Sequence, residues 1–272
     1  FFVISGYLIT TILLRDKLDN TFSISKFYMR RARRILPLLF TVMTVCILAA
    51  WFLMLPWELK NFSQSLISTT LFSSNILFWQ EVGYFQMGTE LKPLLHTWSL
   101  AIEEQFYLFF PFVFIFFGYA KRTRLLLAII PICLLSLLVS EWGSVYHPTA
   151  NFWLIPSRIW ELLMGAICAI VLSKWELKEN NVIALLGLVF IVISIVLFNE
   201  STRWPSLYTL LPVVGSSMVI LFSGKSTYVS RLLSIRVLVG IGLLSYSAYL
   251  WHQPLFAFGK FSVNLSINSS LN

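Results

Sequence analysis

The sequence predicts an all-α, polytopic transmembrane helix bundle on three observations: about eight long apolar runs, a composition 58% hydrophobic and 12% charged, and an uneven spread of Lys and Arg between the runs. Soluble domains carry about 25% charged residues, about twice this share. In so apolar a chain the net charge of +8 marks loops that face the cytoplasm and points to no nucleic-acid partner.

The apolar runs lie at about 1–14, 36–55, 94–118, 125–140, 158–173, 182–198, 207–223 and 237–258. A helix rises about 1.5 Å per residue, so about 20 residues cross the hydrocarbon core. Residue 1 already stands inside an apolar run, and the first span is expected to have lost its outer end. If residues 15–35 are cytoplasmic, fifteen Lys and Arg fall inside and five fall outside, namely Lys60, Lys92, Arg158, Arg203 and Lys260. This bias sets the orientation. It also decides the half-polar run 64–80, which would reverse every later loop if it crossed; it is read as an outside or re-entrant segment. The three cysteines, Cys46, Cys133 and Cys168, sit singly in apolar runs and are expected to pack, with neither a disulfide nor a metal.

The chain is organised around Leu94–Leu108, which runs on as an apolar segment to about Gly118, long enough to cross, and nevertheless carries His96, Glu103, Glu104 and Gln105. A charged group at mid-membrane costs roughly 2.5–3.5 kcal/mol on insertion scales, which calls for a partner or a task. If the helix extends over the whole run, Glu103 and Tyr107 lie within about 20° of His96, and Glu104 about 80° away. His96 and Glu103 would stand about 10 Å apart along the axis, too far for a direct hydrogen bond but within reach of one substrate.

Four arginines, Arg30, Arg31, Arg33 and Arg34, precede the run 36–55. A basic juxtamembrane stretch satisfies the positive-inside rule by itself. Guanidinium groups also bind phosphate bidentately, so the same stretch reads as the entrance for a polyphosphorylated carrier. Arg31 and Arg34 share a helix face, and Arg34, nearest the membrane, is the expected inward-facing member. Arg158 and Glu161, three residues apart at the outer end of another run, form either a simple intrahelical ion pair or a contribution to the His96 and Glu103 site; Gly165, one turn on, permits close helix approach. His252 lies in the aromatic run Tyr249-Leu250-Trp251-His252, suited to the interface or to proton transfer near neutrality. His147 is treated as loop chemistry. Gly-rich phosphate loops, Gly-x-Ser-x-Gly and His-Glu-x-x-His are absent from the sequence, so soluble kinase, hydrolase and zinc-protease readings have no support.

Several stretches together resemble the membrane-bound acyltransferase 3 family, in particular the bacterial O-antigen and cell-surface polysaccharide O-acetylases. They are Phe1-Phe2-Val3-Ile4-Ser5-Gly6-Tyr7-Leu8-Ile9, Arg30 to Pro37, Ser74-Asn75-Ile76, Leu91 to Tyr107, Arg158 to Gly165 and Leu244 to Pro254. The resemblance implies one acyltransferase domain over 1–272, truncated at both ends, of about ten spans when complete. It implies transfer of acetyl from cytoplasmic acetyl-CoA, a co-substrate and not a bound cofactor, to a hydroxyl of an extracytoplasmic glycan. The setting would be the bilayer of a bacterial inner membrane, crossed many times. Arg31 and Arg34 then match the family's Arg-x-x-Arg motif, with Arg30 and Arg33 beside them at the CoA. Glu103, His96 and Glu104 become the catalytic candidates, and Arg158, Glu161, Tyr107 and His252 the acceptor-side ones. A transporter or flippase without chemistry, or a scaffold whose polar groups only pair helices, would use the same residues differently.

Overall fold

The computed structural model describes residues 1–82, 91–118, 121–199 and 201–270. Each apolar run lies on a helix, and no strand occurs among the described residues. In chain order the helices are α1 (Phe2–Leu18), α2 (Ile24–Leu53), α3 (Pro56–Thr70), α4 (Ser74–Glu81), α5 (Thr97–Val113), α6 (Arg122–Tyr146), α7 (Pro148–Trp153), α8 (Ile159–Lys174), α9 (Asn181–Leu197), α10 (Leu210–Phe222), α11 (Tyr228–Leu233) and α12 (Arg236–Ser270). A π-helical turn, Phe114–Gly118, continues α5. Three helical stretches, Ile24–Leu53, Thr97–Phe117 and Arg122–Tyr146, are long and apolar enough to cross a membrane, and Asn181–Leu197 and Leu207–Phe222 are shorter apolar helices.

Two boundaries differ from the sequence expectation. Helix α2 starts at Ile24, so the four arginines lie within it; Lys, Met and Arg favour helix, and only Pro37 interrupts its ladder. At 30 residues it is roughly 45 Å long. Helix α12 continues beyond residue 258 to Ser270, which places His252 near its middle. The half-polar run 64–80 forms parts of two helices broken at Leu71–Ser73, where Phe72 takes a positive φ of 51°. With 15 and 8 residues, α3 and α4 are each too short to cross.

The chain divides into two compact units. The first comprises Phe1–Ser23 and Gln105–Val239. Here α1 crosses α8 at two glycines: a Cβ on Gly6 would stand 1.8 Å from the Leu162 carbonyl oxygen, and one on Gly165 1.9 Å from that of Val3. Helices α9 and α10 meet the same way, a Cβ on Gly187 falling 2.6 Å from the Gly215 oxygen. Without a hydrophobic force between helices in lipid, such backbone approach supplies much of their association. At one end of α6, Glu141 accepts from the Leu207 N–H (2.8 Å) and Asn151 donates to the Pro205 carbonyl (2.7 Å). At the other end of the unit, the Glu179 carboxylate accepts from the Ser226 hydroxyl and the Ser226 N–H.

The second unit comprises Ile24–Glu104 and the chain from Gly240 onward. Its core is built on one stripe of α2, where Phe27, Arg31, Ile35, Leu39, Val42, Met43, Cys46 and Ala50 recur at helical spacing. Phe62, Leu94, Leu100 and Leu250 complete it from α3, the start of α5 and α12. Cys46, Cys133 and Cys168 are all free and buried, as packing residues would be.

Candidate active site

In the second unit the polar groups gather where α5 begins. Pro93 to His96 form tight turns, with Leu95 N–H donating to Lys92, Thr97 to Leu94 and Trp98 to Leu95, all three residues back. Helix α5 starts only at Thr97, so His96 precedes the helix and does not share the expected stripe with Glu103 and Tyr107. The physical cause is Pro93, which supplies no N–H and favours a turn. Thr97 then anchors the helix. Its hydroxyl is placed to donate to the Leu94 carbonyl (2.7 Å) or to the Ser74 hydroxyl (3.0 Å), and it lies 3.0 Å from the Thr69 hydroxyl. All three hydroxyl residues are buried, so this hydrogen-bonded cluster ties α3, α4 and α5 together.

His96 is 6% exposed, and neither ring nitrogen makes a hydrogen bond; the Pro93 carbonyl approaches the ring without meeting hydrogen-bond geometry. Its ring lies edge-on to Tyr249 and to His252, both with centroids 5.2 Å away. The Tyr249 hydroxyl donates to the His96 carbonyl, and so accepts from Ser99, 2.6 Å away. His252 Nδ1 lies 2.6 Å from the Tyr249 carbonyl. One residue on, the Gln253 amide donates to the Lys92 carbonyl (3.2 Å), and Lys92 pairs with Glu81.

The carboxylates and arginines of this unit also interact. Glu103 is buried at 8% exposure, and Glu104 is half-buried with Oε1 making no hydrogen bond. Arg31 and Glu103 act electrostatically on Glu104, while Glu103, Glu104 and Arg34 act on Tyr246, whose hydroxyl donates to the Ile35 carbonyl (3.1 Å). Arg31 is the buried arginine, at 8% exposure, 5.9 Å from the centre of the Phe27 ring. Arg30, Arg33 and Arg34 are exposed, so the inward-facing member is Arg31 and not Arg34. The reason is register: Arg31 falls on the buried stripe four residues from Phe27 and from Ile35, and Arg34 stands about 60° off it.

The first unit holds the remaining candidates. Arg158 caps the start of α8, and Glu161 lies in its first turn. They are 2% and 6% exposed and pair at 3.3 Å, with Arg158 Nε also donating to the Phe152 carbonyl (3.2 Å). The Phe152 ring lies 5.0 Å from the guanidinium. Gly165 makes the close approach expected of it, with α1. Tyr107 is buried. Sequence reasoning missed Thr69, Ser99 and Tyr249 as site builders; the density of Ser and Thr in 64–80 was the available signal for the first.

Membrane-length helices that bury Arg, Glu and His around such a network define a membrane protein with an internal polar site. The chain belongs to the acyltransferase 3 family: the family model described as "Acyltransferase domain" matches residues 1–270. It is 32% identical over 274 residues to the peptidoglycan O-acetyltransferase OatA of Listeria monocytogenes, covering 94% of this chain and 44% of that protein. It is 31% identical over 233 residues to an uncharacterized protein of Haemophilus influenzae (81% of this chain, 95% of that one). A putative O-acetyltransferase of Staphylococcus aureus strain COL is 30% identical over 277 residues, 95% of this chain and 45% of the relative. The chain thus spans under half the length of two of these relatives. No solved structure matches it.

Proposed function

We propose that the chain is the membrane part of an O-acetyltransferase that moves acetyl from cytoplasmic acetyl-CoA to a hydroxyl of an extracytoplasmic cell-envelope glycan. Eight crossings of a bacterial inner membrane, with the arginine end of α2 in the cytoplasm, fit the distribution of Lys and Arg. The carrying observation is Arg31, buried on the core stripe of a membrane-length helix and acting on Glu104. An arginine is retained there only for a task or a partner, and a phosphorylated donor supplies the first. Arg30, Arg33 and Arg34, exposed beside it, would gather the CoA phosphates. Glu103, His96 and Glu104 are the proposed catalytic groups, and Arg158, Glu161, Tyr107 and His252 the acceptor-side ones. Of the two glycans in view, O-antigen and peptidoglycan, the second is named in a relative and is the first acceptor to try.

The test is a host deleted for the gene and complemented with the full-length protein or its Glu103→Gln variant. The reading predicts that glycan O-acetyl disappears in the deletion and returns only with the wild type, while glycan export continues in every strain. Unmodified glycan accumulating inside the cell would favour a transporter instead.

A further inference from the structure

One end of the first unit gathers cations from three helices. Lys17 lies in the last turn of α1, Arg122 opens α6, and Lys174 closes α8. The Arg122 guanidinium donates to the Ser173 carbonyl, and Lys174 Nζ donates to the Thr123 hydroxyl (3.1 Å), so α6 and α8 hold each other through their basic residues. Helix α1 is fixed on the same frame by its glycine contacts with α8, and the Phe22 ring, just past α1, lies 6.0 Å from that of Phe114. Packing therefore brings like charges together: burial first, and then the charge of Arg122, lowers the Lys17 ammonium from its usual range. Among the described residues, no carboxylate forms an ion pair with Arg122 or Lys174. A basic loop that serves only the positive-inside rule spreads its charges in water, as the exposed Lys121 and Arg124 do. Lys17 and Arg122 are half-buried instead. Next to Lys174, the exposed Trp175 ring lies 4.2 Å from its Nζ, and Trp settles at headgroup depth.

We infer that Lys17, Arg122 and Lys174 form a binding site for a phosphate group where the ends of α1, α6 and α8 meet. None of the three is among the arginines assigned to CoA above, and the site does not depend on acetyl transfer. A guanidinium carries five N–H donors, of which Arg122 uses one on Ser173; the two ammonium groups add point charges around an incoming anion. A phosphate meets this set with negative charge and several acceptor oxygens. In the proposed orientation this end faces the cytoplasm, where two molecules carry such a group: an anionic phospholipid of the inner leaflet and the donor CoA.

The experiment uses the full-length protein in neutral detergent, melted with phosphatidylglycerol or phosphatidylcholine and separately titrated with CoA. The expected result is a melting temperature roughly 3 °C or more higher with phosphatidylglycerol, because a ligand that binds the folded state stabilises it. Lys17→Gln combined with Lys174→Gln, which keeps the Arg122 tie to α8, should remove most of that rise. Lys121→Gln combined with Arg124→Gln removes the same charge and should keep it. If phosphatidylglycerol has no effect and the first pair instead weakens CoA binding by about tenfold, the site stands and its phosphate comes from CoA. Equal losses from the two pairs would show diffuse surface charge and overturn the site. So would a wild type indifferent to phosphatidylglycerol whose CoA affinity the first pair leaves within about threefold. Photoreactive analogues of phosphatidylglycerol and CoA on the wild type decide without any variant: label from either probe within residues 15–23, 121–125 or 173–175 supports the site, and label from neither there sinks it.

Discussion

A buried charge in this chain is defined by what stands beside it. Arg158 and Glu161, both nearly sealed from solvent, satisfy each other at 3.3 Å. Removing one partner leaves the other stranded, at a cost of about 3–5 kcal/mol, while removing both is milder. Arg158→Met and Glu161→Gln should therefore each lower the melting temperature of the detergent-solubilised protein more than the double variant does; additive losses would show that the pair is not coupled. Arg31 offers a second test. Arg31→Ala should raise KM for acetyl-CoA by about tenfold or more and Arg33→Ala by less, because a buried guanidinium meets phosphate with little competition from water. The residue types and spacings at both places were legible in the sequence. What was not legible is which arginine faces inward, since that depends on the register of α2, and the helix begins twelve residues before the apolar run that announced it.

Helix contacts here are decided by small residues and hydroxyls. Gly165→Leu drives a side chain into the Val3 carbonyl of α1 and should cost at least about 2 kcal/mol, read as loss of folded protein on thermal challenge. A normal melting curve would mean that α1 and α8 are not in backbone contact. Thr97→Val leaves the buried Thr69 and Ser74 hydroxyls without their Thr97 partner and should cost about 1–3 kcal/mol. The loop joint at Glu179 should respond to acid. The Ser226 hydroxyl, then its N–H, hold the Glu179 carboxyl below the usual carboxylate range. A depressed carboxylate contributes stability above its unfolded-state pKa, and the contribution is lost as pH falls through the lowered folded value. The protection of the Ser226 amide against hydrogen exchange, relative to its intrinsic rate at each pH, should therefore fall in acid in the wild type, with Glu179→Gln showing no such step. Period and hydropathy marked the helices that carry the apolar runs but not the shorter α3, α4, α7 and α11. They could not show that α5 starts after His96, because Pro93 and the Thr97 cluster set that boundary and the partners of Thr97 lie 23 and 28 residues away.

At the scale of the molecule, composition alone identified a helical membrane protein, and the helices long and apolar enough to cross agree with it. The proposed orientation is checked by single cysteines in a cysteine-free background. A membrane-impermeant thiol reagent should label Lys60→Cys from outside intact cells and Lys178→Cys only after permeabilisation; the reverse pattern would invert every loop. The acyl donor and acceptor lie beyond what length, charge and hydropathy encode, and only the long motifs carried them. The central claim is therefore best tested by incubating membranes containing the full-length chain with acetyl-labelled CoA and the host's envelope glycan. The account predicts label in alkali-labile ester on the glycan, lost when Arg31 and Arg34 are both changed to Ala. Folded protein that leaves the glycan unlabelled, with donor and acceptor both present, would contradict it.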